Sequence, residues 1–171
     1  EQGARADLFA SANAEHVQAL VRGGRVTTPQ IMARNALALI VPADNPAGLR
    51  RFADLPKATR VVLGAPQVPA GRYAERALAK QGAAFAQAVQ ARVVSRELNV
   101  RLVRAKVALG EADAALVYRT DAHQAPAVTM LPIPDAAQVE AGYPLARVVD
   151  GPNPAGAARF AAFVRGSVGQ R

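Results

Sequence analysis

Residues 60–74, which read Arg-Val-Val-Leu-Gly-Ala-Pro-Gln-Val-Pro-Ala-Gly-Arg-Tyr-Ala, decide the fold. Residues 60–64 form a short, mostly apolar run, as in a strand that is buried on both faces. A loop with two prolines follows, and the pattern from about residue 71 to residue 80 predicts a helix. A buried strand, a short loop and a helix in this order indicate the repeating unit of an α/β fold.

The same alternation continues on both sides of this stretch. We predict further strands at residues 7–11, 36–41, 92–94, 114–118, 128–132 and 144–149, and further helices at 14–22, 84–90, 100–109 and 154–165. Strands and helices in alternation predict an α/β fold with a largely parallel sheet. In the last helix, we expect four residues to face inward: Ala157, Phe160, Ala161 and Val164.

The composition excludes several kinds of site. The apolar fraction of 51% is enough for a core, and the formal net charge is +8. The Arg residues are scattered rather than grouped with aromatic residues, so they favour a solvated surface and predict no nucleic-acid partner. The chain has no Cys, and His16 and His123 are far apart, so we expect no metal site built from these side chains. No apolar run approaches the length of a membrane span.

Sequence signatures of enzymes are also missing. The chain contains no G-x-G-x-x-G, no G-x-x-x-x-G-K-[ST] and no G-x-S-x-G motif. Ser11, Ser95 and Ser167 have no neighbouring His that could activate them. The sequence evidence for an enzyme is therefore weak, and we do not expect one.

Three positions indicate a site for an anion. The first N–H groups of a helix lack internal partners and lie at the positive end of its dipole, so Ala70 and Gly71 would offer backbone donors. Asn99 is placed to cap a second helix, which would leave the N–H of Val100 free. Tyr118 ends an apolar strand, at the edge where open α/β sheets bind ligands. Ordinary connections and a packing role for the Tyr ring explain the same features, so both interpretations stay open.

Six strings of sequence together resemble periplasmic molybdate-binding proteins, the solute receptors of ABC importers. They are ADLFASA at 6–12, NALALIVP at 35–42, VPAGRYA at 68–74, NVR at 99–101, LGEADAALVYRTDA at 109–122 and YPLA at 143–146. Each string is short, but their order and spacing hold from about Gly3 to the C-terminus.

The resemblance implies a type II periplasmic-binding-protein fold, in which two lobes close on a tetrahedral oxyanion. Lobe I would comprise residues 1–38 and 147–171, and lobe II residues 39–146. The implied ligand is molybdate or tungstate, with no cofactor and no metal apart from that of the oxyanion. Ala70 and Val100 would donate backbone N–H groups and Tyr118 its hydroxyl, with Gly71 and Asn99 as possible additional contacts.

The chain departs from the family pattern at its beginning. Family members start with a further region that carries two Ser-containing loops, and this sequence starts just before the position of Ala4. We therefore expect one complete lobe, a partial lobe I, and self-association through the incomplete lobe.

The resemblance also implies a location and a partner. We expect a periplasmic or otherwise extracytoplasmic protein that delivers its ligand to the membrane permease of an ABC importer, although no signal peptide lies in this chain. The alternative is the ligand-sensing effector domain of a LysR-like transcriptional regulator, because such domains resemble the same fold.

Overall fold

The computed structural model describes residues 5–123 and 125–170. Residues 1–4 and 171, which belong to the predicted lobe I, and residue 124 lie outside the described part. The helices and strands are β1 (Leu8–Ala10), α1 (Ala14–Arg22), β2 (Gln30–Pro42), a 3-10 helix (Phe52–Lys57), β3 (Val61–Gly64), α2 (Pro69–Lys80), α3 (Ala83–Gln90), β4 (Val93–Glu97), α4 (Val100–Ala108), β5 (Ala114–Tyr118), α5 (Arg119–His123), β6 (Val128–Leu131), β7 (Glu140–Arg147) and α6 (Pro154–Arg165).

The chain forms two compact units. Unit 1 comprises residues 1–34 and 141–171, and unit 2 comprises residues 35–140. The lobe boundaries expected from the sequence lie at residues 38–39 and 146–147. Strands β2 and β7 carry the chain across the boundary.

Unit 2 is built on a mixed sheet in the order β2-β5-β3-β4, with β6 paired to the other edge of β2. The central strand β3 runs parallel to both β4 and β5, whereas β2 runs antiparallel to β5 and β6. The expectation of a largely parallel sheet was therefore wrong. The chain enters this sheet through β2, whose two antiparallel partners the sequence pattern did not indicate.

Both faces of this sheet are buried, which explains the continuous apolar strands. Leu63 faces the cluster that includes Ala74 and Leu78 of α2, while its neighbour Val62 faces the cluster with Val103 of α4. Side chains alternate between faces along a strand, so every position needs an apolar residue when helices cover both sides. Unit 2 is a three-layer α/β structure.

Unit 1 contains an antiparallel pair, β1 with β7, and helices α1 and α6. Its buried cluster is small and consists of Val17, Val26 and Ala146. Ala157 of α6 is buried as expected, but Phe160 is 55% exposed, so the predicted inward position of Phe160 was wrong.

Many element boundaries differ from the sequence-based ones, with the largest shifts at the start of β2, at the start of β7 and at the end of β4. Helix α2 begins at Pro69, which suits the first helical turn because it lacks an N–H. Strand β2 begins at Gln30 rather than 36, and β7 spans Glu140–Arg147 rather than 144–149. Helix α5 was not predicted. Among the described residues, no helix is long and apolar enough to cross a membrane.

Candidate functional site

The three predicted contact positions lie at or after the carboxyl ends of three neighbouring strands of unit 2. Strand β3 is followed by α2, β4 is followed by α4, and β5 ends at Tyr118. Because β3 lies between β4 and β5 and runs parallel to both, the carboxyl ends of these strands meet at one edge of the sheet. Ala70, Val100 and Tyr118 therefore lie along the same edge.

The start of α2 presents two backbone donors. Val68 is the N-cap and makes no side-chain cap, so Ala70 and Gly71 are the second and third residues of the helix. Amides at these positions cannot reach a carbonyl within their own helix. The first amide that bonds back is Arg72, whose N–H donates to the Val68 carbonyl at 3.2 Å. Ala70 and Gly71 add little side-chain bulk beside these amides, and both residues are buried.

Gly71 also holds the helix close against the end of β3. A Cβ atom at Gly71 would lie 2.2 Å from the Ala65 carbonyl oxygen and 2.5 Å from that of Gly64. Such distances are far shorter than any van der Waals contact, so only glycine fits between the strand end and the helix. This close approach fixes where the α2 donors sit at the edge of the sheet.

The start of α4 leaves one donor outside its cap. The Asn99 side-chain oxygen accepts from the Arg101 N–H at 2.8 Å, and the Asn99 carbonyl accepts from Leu102 and Val103. Val100 is the first residue of the helix, so its N–H is not part of this cap. The predicted N-cap role of Asn99 is confirmed. Because both oxygens of Asn99 accept hydrogen bonds from α4, the groups that remain for a ligand are its carboxamide nitrogen and its backbone N–H.

The loops that lead into α2 and α4 are joined by a backbone hydrogen bond. The Ala65 N–H donates to the Glu97 carbonyl at 2.8 Å, directly beyond the pairing of Gly64 with Glu97. The carboxylate of Glu97 accepts from Ser95 and pairs with Lys106 at 3.2 Å, and these contacts hold its pKa below the ordinary value. The negative charge of Glu97 is thereby balanced within the same unit.

Several contacts hold Tyr118 and the residues that follow it. Its backbone pairs with Leu37 of β2, and its half-buried ring packs against the core cluster beneath the edge. Two residues later, in α5, the Thr120 hydroxyl accepts from the Asn35 side chain at 2.9 Å, which ties the start of α5 to β2. The Tyr73 ring of α2 meets the Tyr118 ring edge-on, with 6.3 Å between ring centroids and 66° between planes.

Tyr73 was not among the residues predicted for the site. The sequence contained a signal for it, because Tyr73 lies three residues after Ala70, which places both on neighbouring positions of one helix face. The contact with Tyr118 joins two elements that are distant in sequence, and the spacing of residues could not indicate it.

The charged groups near this edge are of both signs. Burial raises the pKa of Asp121, and the positive charges of Arg104 and Arg101 oppose that effect. Arg104 also donates to the Asp121 carbonyl at 3.2 Å, which ties α4 to α5. Within residues 5–123 and 125–170, no group of three or more acidic or His side chains is arranged to hold a metal ion.

A cavity of about 410 Å³ lies elsewhere, in unit 1. It is lined by β1, β7 and α6, including Leu8, Leu145, Ala161 and Arg165, and it is partly open to solvent. None of the predicted contact residues lines it. The candidate site at the sheet edge is therefore an assembly of donors on one unit rather than this cavity.

The whole chain matches one known protein family. The family model described as bacterial extracellular solute-binding protein matches residues 1–171. The chain belongs to this family. Members of this solute-binding protein family are transport components, so the assignment does not favour the alternative of a transcriptional regulator.

Individual relatives of this solute-binding protein are molybdate-binding proteins. The molybdate-binding protein of Mycobacterium bovis is 36% identical over 173 residues, covering 99% of this chain and 64% of the relative. The chain thus spans a little under two thirds of the length of that relative.

Solved structures agree on the fold. The substrate-binding domain of a putative molybdenum ABC transporter from Clostridium difficile matches with a TM-score of 0.85 and 26% identity, covering 99% of this chain and 74% of the other. The periplasmic molybdate-binding protein of Azotobacter vinelandii matches with a TM-score of 0.68 and 19% identity, covering 96% of this chain and 74% of the other. The predicted α/β class and type II periplasmic-binding-protein fold, present in part, are confirmed.

Proposed function

We propose that this chain binds molybdate or tungstate and delivers the oxyanion to an ABC-type importer. The observation that carries the proposal is the sheet edge of unit 2, where two helix starts and one phenol follow neighbouring strands. The names of the Mycobacterium bovis and Azotobacter vinelandii relatives supply the ligand class.

The proposed contacts are uncharged. The Ala70 and Val100 backbone N–H groups and the Tyr118 hydroxyl donate to the oxyanion, and Gly71 and Asn99 are possible additional donors. Hydrogen bonds to an ionised acceptor are shorter and stronger than neutral ones, so such donors stabilise a dianion without a buried counter-charge. The dipoles of α2 and α4 add favourable potential at their N-termini. Discrimination against the smaller sulfate ion then depends on the spacing of these donors.

In this proposal unit 2 corresponds to lobe II, and unit 1 to part of lobe I. The protein transports its ligand without making or breaking bonds and carries no resident cofactor. Its location is periplasmic or otherwise extracytoplasmic, as suits a member of an extracellular solute-binding family, and its partner is the membrane permease of the importer.

Self-association through unit 1 is part of the same proposal. Phe160 and Phe163 of α6 are 55% and 56% exposed and lie three residues apart, so they form an apolar stripe on one helix face. Light scattering should then show a dimer or larger species in the native chain, and the Phe163→Ser variant should shift it toward monomer. An unchanged monomer at high concentration would reject this element.

The test of ligand binding replaces the phenol. Tyr118→Phe removes one hydrogen bond to a charged acceptor, worth about 1.5–3 kcal/mol, so molybdate affinity should fall roughly 10- to 150-fold. The matched control is Tyr143→Phe. Tyr143 is a half-buried residue of β7 in unit 1, and its substitution should leave molybdate affinity unchanged. Isothermal titration with molybdate, tungstate and sulfate measures all three proteins.

Each outcome separates parts of the proposal. A chain that binds neither molybdate nor tungstate at millimolar concentration, and whose thermal unfolding neither ion shifts, does not have the proposed activity. Equal affinities of the native chain and Tyr118→Phe would remove the phenol from the site, while the backbone donors would remain.

A further inference from the structure

The aromatic pair at the sheet edge joins two of the proposed donors. Tyr73 lies one turn after Ala70 on α2, and its ring contacts the ring of Tyr118, which belongs to β5. Both rings are partly buried and pack against the same core cluster. A shift of either ring would therefore change the position of the phenol relative to the start of α2.

A second side chain, that of Arg76, contacts the Tyr73 ring. The guanidinium carbon of Arg76 lies 5.8 Å from the centre of the Tyr73 ring, within the range of a cation–π contact. Arg76 is exposed and lies three residues further along α2. The three side chains form a continuous row, Arg76–Tyr73–Tyr118, which runs from the helix surface to the sheet edge.

A row of this kind matters because a Tyr side chain can adopt several staggered rotamers. If a Tyr side chain samples several rotamers before the ligand binds, binding must select the one rotamer from which the hydroxyl donates. This ordering costs free energy and weakens ligand affinity. Edge-to-face contact between aromatic rings is a favoured geometry and limits that sampling.

We propose that Tyr73 is a positioning residue for the phenol of Tyr118. Its ring holds Tyr118 in the rotamer that presents the hydroxyl beside the N-terminus of α2, and Arg76 holds the Tyr73 ring in turn. The inference rests on the proposed function, because it assigns Tyr73 a role through the Tyr118 contact. It also makes Tyr73 a determinant of oxyanion size selection, since it sets the distance between the hydroxyl and the Ala70 N–H.

The experiment is a double-mutant cycle on molybdate affinity with the full chain. Tyr73→Leu should weaken binding roughly 5- to 10-fold in the native background and less than about twofold in the Tyr118→Phe background, because the hydroxyl that it positions is then absent. Tyr73→Phe keeps the ring and should retain native affinity. Tyr73→Leu should also lower the ratio of molybdate to sulfate affinity, whereas a purely structural role would weaken both ions equally.

Two further variants control for folding. Phe85→Leu removes a different aromatic pair of unit 2, in which the ring centroids of Phe85 and Phe52 are 5.4 Å apart. This variant should have a lower free energy of unfolding and an unchanged affinity for molybdate. If Tyr73→Leu does not fold, Arg76→Gln takes its place. Arg76 is exposed, so this change should be tolerated, and we expect a loss of roughly twofold that disappears in the Tyr118→Phe background.

The outcomes distinguish this inference from the proposed function. Equal losses from Tyr73→Leu in both backgrounds would overturn the positioning role, while a strong effect of Tyr118→Phe alone would leave the proposed site intact. A Tyr118→Phe variant with native affinity would remove both the phenol contact and the positioning role. Absence of molybdate and tungstate binding by the native chain would overturn the proposed function and this inference together.

Discussion

Units 1 and 2 differ in the size of their buried cores, although each unit also exposes several large apolar side chains. In unit 2, helices cover both faces of the sheet, and residues such as Leu39, Leu63 and Leu116 are 0% exposed. In unit 1, the described residues bury a small cluster around Val17, and Phe160 and Phe163 remain more than half exposed. An apolar sequence pattern therefore specifies burial only where other elements supply the covering surface.

The difference also concerns the candidate site. All the proposed contacts lie on unit 2, at an edge whose geometry is fixed by β3, β4 and β5. A site on a unit with an extensive buried core is expected to keep its donors in place before a ligand binds, which reduces the ordering that binding requires. We therefore expect substitutions in the core of unit 2 to lower the free energy of unfolding strongly. Substitutions of exposed residues in unit 1 should lower it only weakly.

The largest expected effect tests this contrast in packing. Leu63→Ala removes a fully buried side chain from the central strand of unit 2 and should lower the free energy of unfolding by about 3–4 kcal/mol through lost burial and a cavity. Phe160→Ala removes a larger side chain from α6 of unit 1 and, at a protein concentration low enough to keep the chain monomeric, should change it by less than about 1 kcal/mol, because the ring is exposed in the single chain. Denaturant unfolding of both variants measures the difference.

An opposite result would be informative. If Phe160→Ala destabilised the protein as much as Leu63→Ala, the exposed face of α6 would have to be covered in solution, and the loss should then depend on protein concentration. That dependence would support self-association through unit 1. A loss that is independent of concentration would contradict the contrast between the units.

A somewhat smaller effect is expected for two matched glycines. Gly71→Ala places a Cβ atom on the carbonyl oxygens of Gly64 and Ala65 in unit 2, and we expect a destabilisation of about 2–3 kcal/mol. Gly23→Ala in unit 1 meets nothing closer than 3.5 Å and should change stability by less than about 1 kcal/mol. Thermal unfolding followed by circular dichroism compares them. Tolerance of Gly71→Ala would show that α2 can move away from β3.

Among the strands, the sequence predicted the bounds of β3 and β5 best, because both of their faces are buried. Residues 114–118 were predicted with the correct bounds because each of them had to be apolar. The first half of β2 was missed because residues 30–34 are mostly exposed, begin and end with a polar residue, and follow Pro29. Helix α5 was missed because Arg119–His123 carries no apolar period.

The candidate site could be predicted in part for a related reason. Free N–H groups at Ala70 and Val100 follow from where a helix begins, which is a local property of the chain. The contact of Tyr73 with Tyr118 depends on how two elements that are distant in sequence pack together. The exposure of the Phe160 side chain depends on which residues cover α6. Neither can be derived from the spacing of residues alone.

The smallest expected effect concerns the buried carboxylate of unit 2. Asp113 precedes β5 and is 5% exposed, and its carboxylate accepts from the Thr59 hydroxyl at 2.6 Å and the Arg60 guanidinium at 2.8 Å. Burial raises the pKa of Asp113, but the hydrogen bonds from Thr59 and Arg60 outweigh that effect and lower the pKa to about 2. The ionised form is therefore favoured in the folded state.

The sign of the resulting pH dependence follows from this lowered pKa. The unfolded chain takes up a proton on Asp113 near its usual pKa of 3.8, whereas the folded chain does so at about 2, so the stabilisation is present above about pH 4 and is lost as the pH falls toward 2. It amounts to about 2 kcal/mol. Hydrogen exchange should show this loss for β3 amides of unit 2 and not for β7 amides of unit 1 if the units open separately. Asp113→Asn should remove the dependence, and an equal loss in both strands would mean that the two units unfold as one.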